Sequence, residues 1–209
     1  MADEKRTYRL KKRAEAMSDT RRRITEAAME LHGTVGPART TVSAVAERAG
    51  VQRHTVYRHF PSEEELFAAC SAHFNELHPL PDIEAWRDEP DPAVRLEKAL
   101  TQLYDHYAET AHMWTNVLRD AELVAALPKT MAPFGRFLDE LVALLASGWR
   151  ARGTRRDLLT AAIGHAVDFR TWESLVQRGG ISSSQGARLM RALVEDASVD
   201  QTQPLTQLH

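Results

Sequence analysis

Cysteine occurs once in the 209 residues, at position 70, which excludes an internal disulfide and leaves no zinc-finger spacing. No run of about 18 apolar residues is present, so no segment reads as a membrane span. Met1 is followed by Ala-Asp-Glu-Lys-Arg without an apolar stretch behind it, and the chain reads without a signal peptide. The nine histidines include no HxH or HExxH, and His73 and His78 are five apart, off a common helical face, so no metal site is expected. Nucleophile–base spacings, Gly-rich phosphate loops and carboxylate–histidine clusters are missing as well. An enzyme is therefore disfavoured, no cofactor is expected, and a cytoplasmic globular protein is the plain expectation. A hydrophobic content of 43% with a mean hydropathy of -0.41 fits that class.

What is present is helical patterning without strand alternation, so the expected fold class is all-α. Net charge is only -2, but it is unevenly spread. Residues 1–60 hold 13 Lys and Arg against 7 Asp and Glu, a net +6, and residues 61–209 hold 14 against 22, a net -8. A basic N-terminal part is drawn to phosphates, while an acidic remainder is repelled by them.

Residues 1–18 read as a basic arm carrying Lys5, Arg6, Arg9, Lys11, Lys12 and Arg13, with Ser18 or Asp19 as the N-cap of a first helix. Such an arm can reach an adjacent minor groove or phosphates. Ile24, Ala27, Ala28 and Leu31 mark the inner face of that helix to about His32, and Gly33-Thr-Val-Gly-Pro37 breaks it. Thr41 caps a short helix with Val42, Val45, Ala46 and Ala49 inward. Gly50 suits the left-handed turn, Val51 plugs it, and Val56 with Phe60 forms the inner face of a second short helix. Pro61 stops that helix, and Ser62 with Glu65 reads as a capping box. Two short helices about a glycine turn form a helix-turn-helix, whose second helix enters the major groove of DNA.

On this geometry Gln52, Arg53 and His54 occupy the exposed N-terminal end of the second helix. Gln pairs bidentately with adenine and Arg with guanine. Thr55, Tyr57 and His59 offer donors along the sides, suited to phosphates that fix register. Thr41 can bring its hydroxyl and a helix amide to a phosphate, and Arg39 adds a charge in the preceding loop.

Thr41, Val45-Ala46, Ala49-Gly50-Val51, Thr55-Val56-Tyr57-Arg58-His59-Phe60, Pro61-Ser62 and Glu64-Glu65-Leu66 together resemble the TetR family of transcriptional regulators. The resemblance covers residues 19–70, and the rest fits in outline. It implies a three-helix DNA-binding head at 19–66 and a larger helical domain at 67–197 that dimerises and commonly binds a small-molecule inducer, with a tail at 198–209. Two positions depart from the family pattern: His54 stands where Gly is frequent, and Glu63 where Lys is frequent.

Beyond a proline-rich connector at 79–92, apolar spacings mark helices through Leu96–Tyr107, through Trp114–Leu123 ending near Pro128, and through Phe134–Leu145 ending near Gly153. The last two helices are expected at 155–178 and 182–197. In the family's arrangement these two pair across a two-fold axis, with Leu158, Leu159, Ala162, Ile163, Ala166, Phe169, Leu189 and Leu193 as candidates for that face. Tyr104, Tyr107, Trp114, Asn116, Phe134, Phe137, His165, Phe169 and Trp172 are candidates for an effector cavity. Arg119, Asp120, Asp168 and Arg170 read either as buried polar groups tuned to a ligand or as surface salt bridges, with surface favoured for most of them. The expected partners are double-stranded DNA, a second copy of the chain and a small-molecule effector, with no membrane. The reading is a repressor released by an effector; the alternative is an effector-independent DNA-binding dimer with a solid C-terminal domain.

Overall fold

Between residues 2 and 32 the chain has neither glycine nor proline, and one helix, α1, runs uninterrupted over Ala2–Thr34. The computed structural model describes residues 2–199, with side chains from residue 6 on. The tail expected at 198–209 therefore lies outside the described residues from position 200, and so does the Lys5 side chain. The expected cap at Ser18 or Asp19 is not used. Arg22 bridges Asp19 at 2.6 Å and Glu26 at 2.8 Å, and Thr20 donates to the Ala16 carbonyl, so this stretch is held as mid-helix.

Helices follow at α2 (Val42–Arg48), α3 (Arg53–His59), α4 (Glu63–Leu77), α5 (Glu84–Arg87), α6 (Pro92–Asp120), α7 (Leu127–Ala146), α8 (Thr154–Val167), α9 (Phe169–Trp172) and α10 (Ser183–Ser198). A 3-10 turn at Pro37–Arg39 precedes α2, and a π-helix at Glu173–Arg178 follows α9. No strand occurs among the described residues. The fold is all-α.

The described chain divides into two compact units, 2–79 with 112–131, and 80–111 with 132–199. In the first unit Ile24, Ala27 and Ala28 of α1 pack with Val45, Ala46, Ala49, Val56, Phe60, Leu66 and Cys70. Every one of these is at most 7% exposed, so α2 and α3 have no freedom to rotate on α1. A second cluster joins Phe67 to Val124, Ala126 and Leu127.

Besides the start of α1, three helix boundaries differ from expectation. Residues 96–123 form one helix to Asp120 rather than two, because no breaker falls near 108–113. Pro128 opens α7 instead of closing its predecessor; in a first helical turn the missing N–H has no partner to lose. The helix expected at 155–178 is cut at Asp168, whose backbone is extended and whose carboxylate caps α9 through the Arg170 amide at 2.6 Å. The carbonyls freed by that cut are taken by tyrosines of α6. Tyr104 donates to Ala166 and Tyr107 to Val167, both at 2.8 Å. Within the connector, α5 buries Trp86, and its indole donates to Gln102 at 3.1 Å.

Candidate nucleic-acid interface

The α2–α3 turn follows from its residues. The Thr41 hydroxyl accepts from the Ala44 amide at 3.1 Å and starts α2. Gly50 takes φ +64°, and the Val51 amide closes the turn on the Ala46 carbonyl at 2.9 Å. Val56 and Phe60, at most 2% exposed, pin the inner side of α3. The opposite side is thereby presented outward: Gln52, Arg53, His54, Tyr57 and Arg58 are exposed and Thr55 is half-buried. Arg53 donates to the Tyr57 hydroxyl at 3.1 Å with its guanidinium 5.6 Å from the ring centroid, so the two side chains hold each other upright. His54 and Thr55 approach to 3.4 Å.

His59 departs from the expected role. It lies three residues after Val56 and so falls on the buried side of α3, 9% exposed. Arg21 of α1 donates to its carbonyl and stacks over Phe60 at 4.0 Å. Burial, then the charges of Arg58 and Arg21, hold the His59 imidazole below its usual range. It packs the head and offers no donor outward.

Arg39 and Thr41 are exposed beside α2. Having accepted the Ala44 amide, Thr41 keeps its own hydroxyl proton for donation. Arg6, Arg9, Lys11, Lys12 and Arg13 are exposed along the N-terminal half of α1. Glu63 is exposed in the first turn of α4, where Ser62 accepts the Glu65 amide at 3.2 Å. The next residue, Glu64, pairs with Lys129 at 2.8 Å.

The expected cavity residues do not gather in one place. Tyr107, Phe134, Phe137, Phe169 and Trp172 form one aromatic cluster in the second unit, with ring centroids 5.1 to 6.5 Å apart along the chain of contacts. Tyr104 is fully buried beside it, and burial raises both tyrosine hydroxyls well above their usual range. His165 is exposed, with Thr171 donating to its carbonyl at 2.6 Å. Trp114 and Asn116 belong to the first unit. There Asn116 donates to the carbonyls of Gly33 at 2.8 Å and His32 at 3.2 Å. Asp120, the exception among the four charges for which surface was mostly expected, is 2% exposed; it accepts the Ala38 amide at 3.0 Å and Arg119 at 2.8 Å. Asp168 and Arg170 are surface charges as read. The His32–Phe67 stack, 4.6 Å between centroids and 12° between planes, had no spacing signal, because its partners lie on different helices.

Of the residues proposed for a face shared with a second copy, Leu159, Ile163, Ala166 and Phe169 are buried within the chain's own fold. Leu158, Leu189 and Leu193 are 45 to 52% exposed. Leu158 and Leu193 line a shallow groove with Ala161, Ala162 and Ala197 between α8 and α10.

Known proteins match this arrangement. Residues 24–70 match the family described as bacterial regulatory proteins, tetR family. The chain is 37% identical over 92 residues to the HTH-type transcriptional regulator TtgR of Pseudomonas putida, covering 44% of either protein. It thus spans less than half the length of that relative. With the HTH-type transcriptional regulator SrpR of Pseudomonas putida it is 26% identical over 189 residues, covering 74% of this chain and 86% of the relative. A solved TetR-like transcriptional regulator from Rhodococcus sp. RHA1 shares the fold, with a TM-score of 0.60 at 22% identity, over 84% of this chain and 93% of that one. Residues 24–70 are thus similar to the tetR family of bacterial regulatory proteins, and the chain shares the fold of a solved TetR-like regulator.

Proposed function

We propose that the chain is a sequence-specific DNA-binding transcriptional regulator, acting as a homodimeric repressor in the cytoplasm and released from its operator by a small-molecule effector. One observation carries the DNA reading. Gln52, Arg53, His54 and Tyr57 stand exposed on the face of α3 opposite Val56 and Phe60, within the net-positive part of the chain. Base edges are then read by Gln52, Arg53 and His54, and phosphates are gripped by Arg39, Thr41, Thr55 and Tyr57. The regulator names carried by TtgR and SrpR support this reading.

The helical arm adds phosphate contacts through its exposed arginines and lysines, a term that salt weakens. A single helix-turn-helix reads few base pairs, and two half-sites need two copies. The exposed leucines of α8 and α10 with the small residues between them support that pairing. The effector is assigned to the region of the Tyr107 aromatic cluster.

A specific observation favours the second reading, an effector-independent dimer: Tyr104 and Tyr107 are fully buried and spend their hydroxyls on backbone carbonyls. Thermal shift against a metabolite panel separates the two. An inducer raises the melting temperature by mass action and loosens a bound duplex; a panel with no such compound supports the solid bundle. The DNA reading itself fails if the full chain enriches no duplex from a randomised pool.

A further inference from the structure

Three side chains on the last turns of α6 converge on the segment that leads into the α2 cap. Asn116, 8% exposed, satisfies the last carbonyls of α1 at His32 and Gly33. Arg119 donates to the Val35 carbonyl at 3.1 Å and to Asn116 at 2.9 Å, and holds both oxygens of Asp120 at 2.8 and 3.0 Å. Asp120 then reaches further along the loop, to the Ala38 amide. The end of α1 is met by the Asn116 contacts and by the Val35 and Gly36 amides on the Leu31 carbonyl. The Asp120 contact does something else: it fixes the residue immediately before Arg39, two before the Thr40–Thr41 corner.

The loop between is built to accept this. Gly36 takes φ +96°, and a Cβ there would run into the Arg119 guanidinium and the Asp120 carboxylate. Thr40 closes the turn on Pro37 through its amide at 3.1 Å and on Gly36 through its hydroxyl at 2.8 Å. The Arg39 and Thr40 amides and the Thr40 hydroxyl are thus tied within the loop, and the Ala38 amide to Asp120. A carboxylate with 2% exposure is costly to bury, and here its charge is matched by Arg119 while one lone pair is spent on a single loop amide.

We propose that Asn116, Arg119 and Asp120 are positioning residues for DNA binding, with Asp120 setting the place of Arg39 and Thr41 through the Ala38 amide. The inference rests on the reading that Arg39 and Thr41 grip phosphates. None of the three touches DNA; they act through the loop.

The test is a double-mutant cycle on the full chain, with the duplex that the wild type enriches from a randomised pool. D120A, D120N and R39A, and the pairs with R39A, are titrated by fluorescence anisotropy, with circular dichroism melting of each protein. D120A is expected to weaken binding about tenfold while remaining folded at the assay temperature. D120N keeps one acceptor oxygen for the Ala38 amide but turns its NH2 toward Arg119, so it restores part of that affinity; all variants are compared at equal folded fraction, which sets loss of stability aside. In the R39A background D120A costs less than in the wild type, because one of the two residues it positions is gone. Equal factors in both backgrounds, or unchanged affinity in D120A, overturn the inference. If D120A does not fold, R119A, which removes the partner of Asp120 and the Val35 contact from a half-exposed side chain, takes its place in the cycle under the same criterion of additivity. Should R39A and T41A both bind as the wild type does, the phosphate role of the loop fails and the inference fails with it. The groove reading is then still judged separately, by R53A.

Discussion

Arg53 and Tyr57 support each other through a hydrogen bond and a ring contact, yet both project away from the core. Their removal therefore separates binding from folding. Arg53→Ala and Tyr57→Ala are each expected to weaken duplex binding by at least about tenfold, in line with ~1–3 kcal/mol per base or register contact, while melting temperature stays near wild type. Anisotropy titration beside a melting curve checks this; a parallel loss of stability would contradict it. His32 gives the opposite kind of prediction. Burial against Phe67 lowers its pKa from 6.5 to about 4, so the unfolded chain takes up a proton that the folded one refuses. Stability then rises with pH across that window, and between neutral pH and pH 5 the fold loses ~2 kcal/mol from this group. His59, shifted in the same direction by burial, adds a loss of the same sign. Chemical denaturation at the two pH values measures the difference, and His32→Phe is expected to flatten it; an unchanged slope would contradict the assignment.

At the scale of elements, the fate of each expected helix turned on where breakers fall. The α2–turn–α3 unit was legible because Thr41, Gly50 and Pro61 each do one local job: a cap, a left-handed turn and a stop. The cut at Asp168 was not legible, because it depends on hydroxyls from Tyr104 and Tyr107 some 60 positions away. The burial of Asp120 was left open for the same reason: its partner is a backbone amide 82 positions earlier, and a charged residue at a helix end ordinarily faces water. His59, in contrast, could have been placed correctly, since its spacing from Val56 already puts it on the inner side. Two predictions belong to elements. Deleting residues 2–17 is expected to make the salt dependence of DNA binding shallower, by roughly one unit of log–log slope for each phosphate that the arm neutralises. An unchanged slope would remove the arm from the interface. Leu193→Glu on α10 is expected to shift the chain toward monomer in analytical ultracentrifugation and to weaken duplex binding in step. A dimer that survives it would contradict the α8–α10 pairing.

For the whole molecule, the charge division and the helix-turn-helix point the same way, with the net-positive stretch carrying the exposed face of α3. The cavity candidates divided by unit, four aromatic rings clustering with Tyr107 while Trp114 and Asn116 serve the first unit. Spacing along a helix cannot show this, because a 29-residue helix such as α6 presents different residues to different neighbours along its length. Everything proposed for this molecule depends on the outward face of α3 reading DNA sequence. The decisive measurement is an anisotropy titration of the full chain against the duplex it enriches from a randomised pool and against a scrambled duplex of equal length, each at two salt concentrations. Affinity for the enriched duplex is expected to be at least about 10³-fold above that for the scrambled one, with R53A abolishing most of the gap and both affinities falling as salt rises. Equal affinity for the two duplexes, or an R53A protein that discriminates as the wild type does, would contradict it.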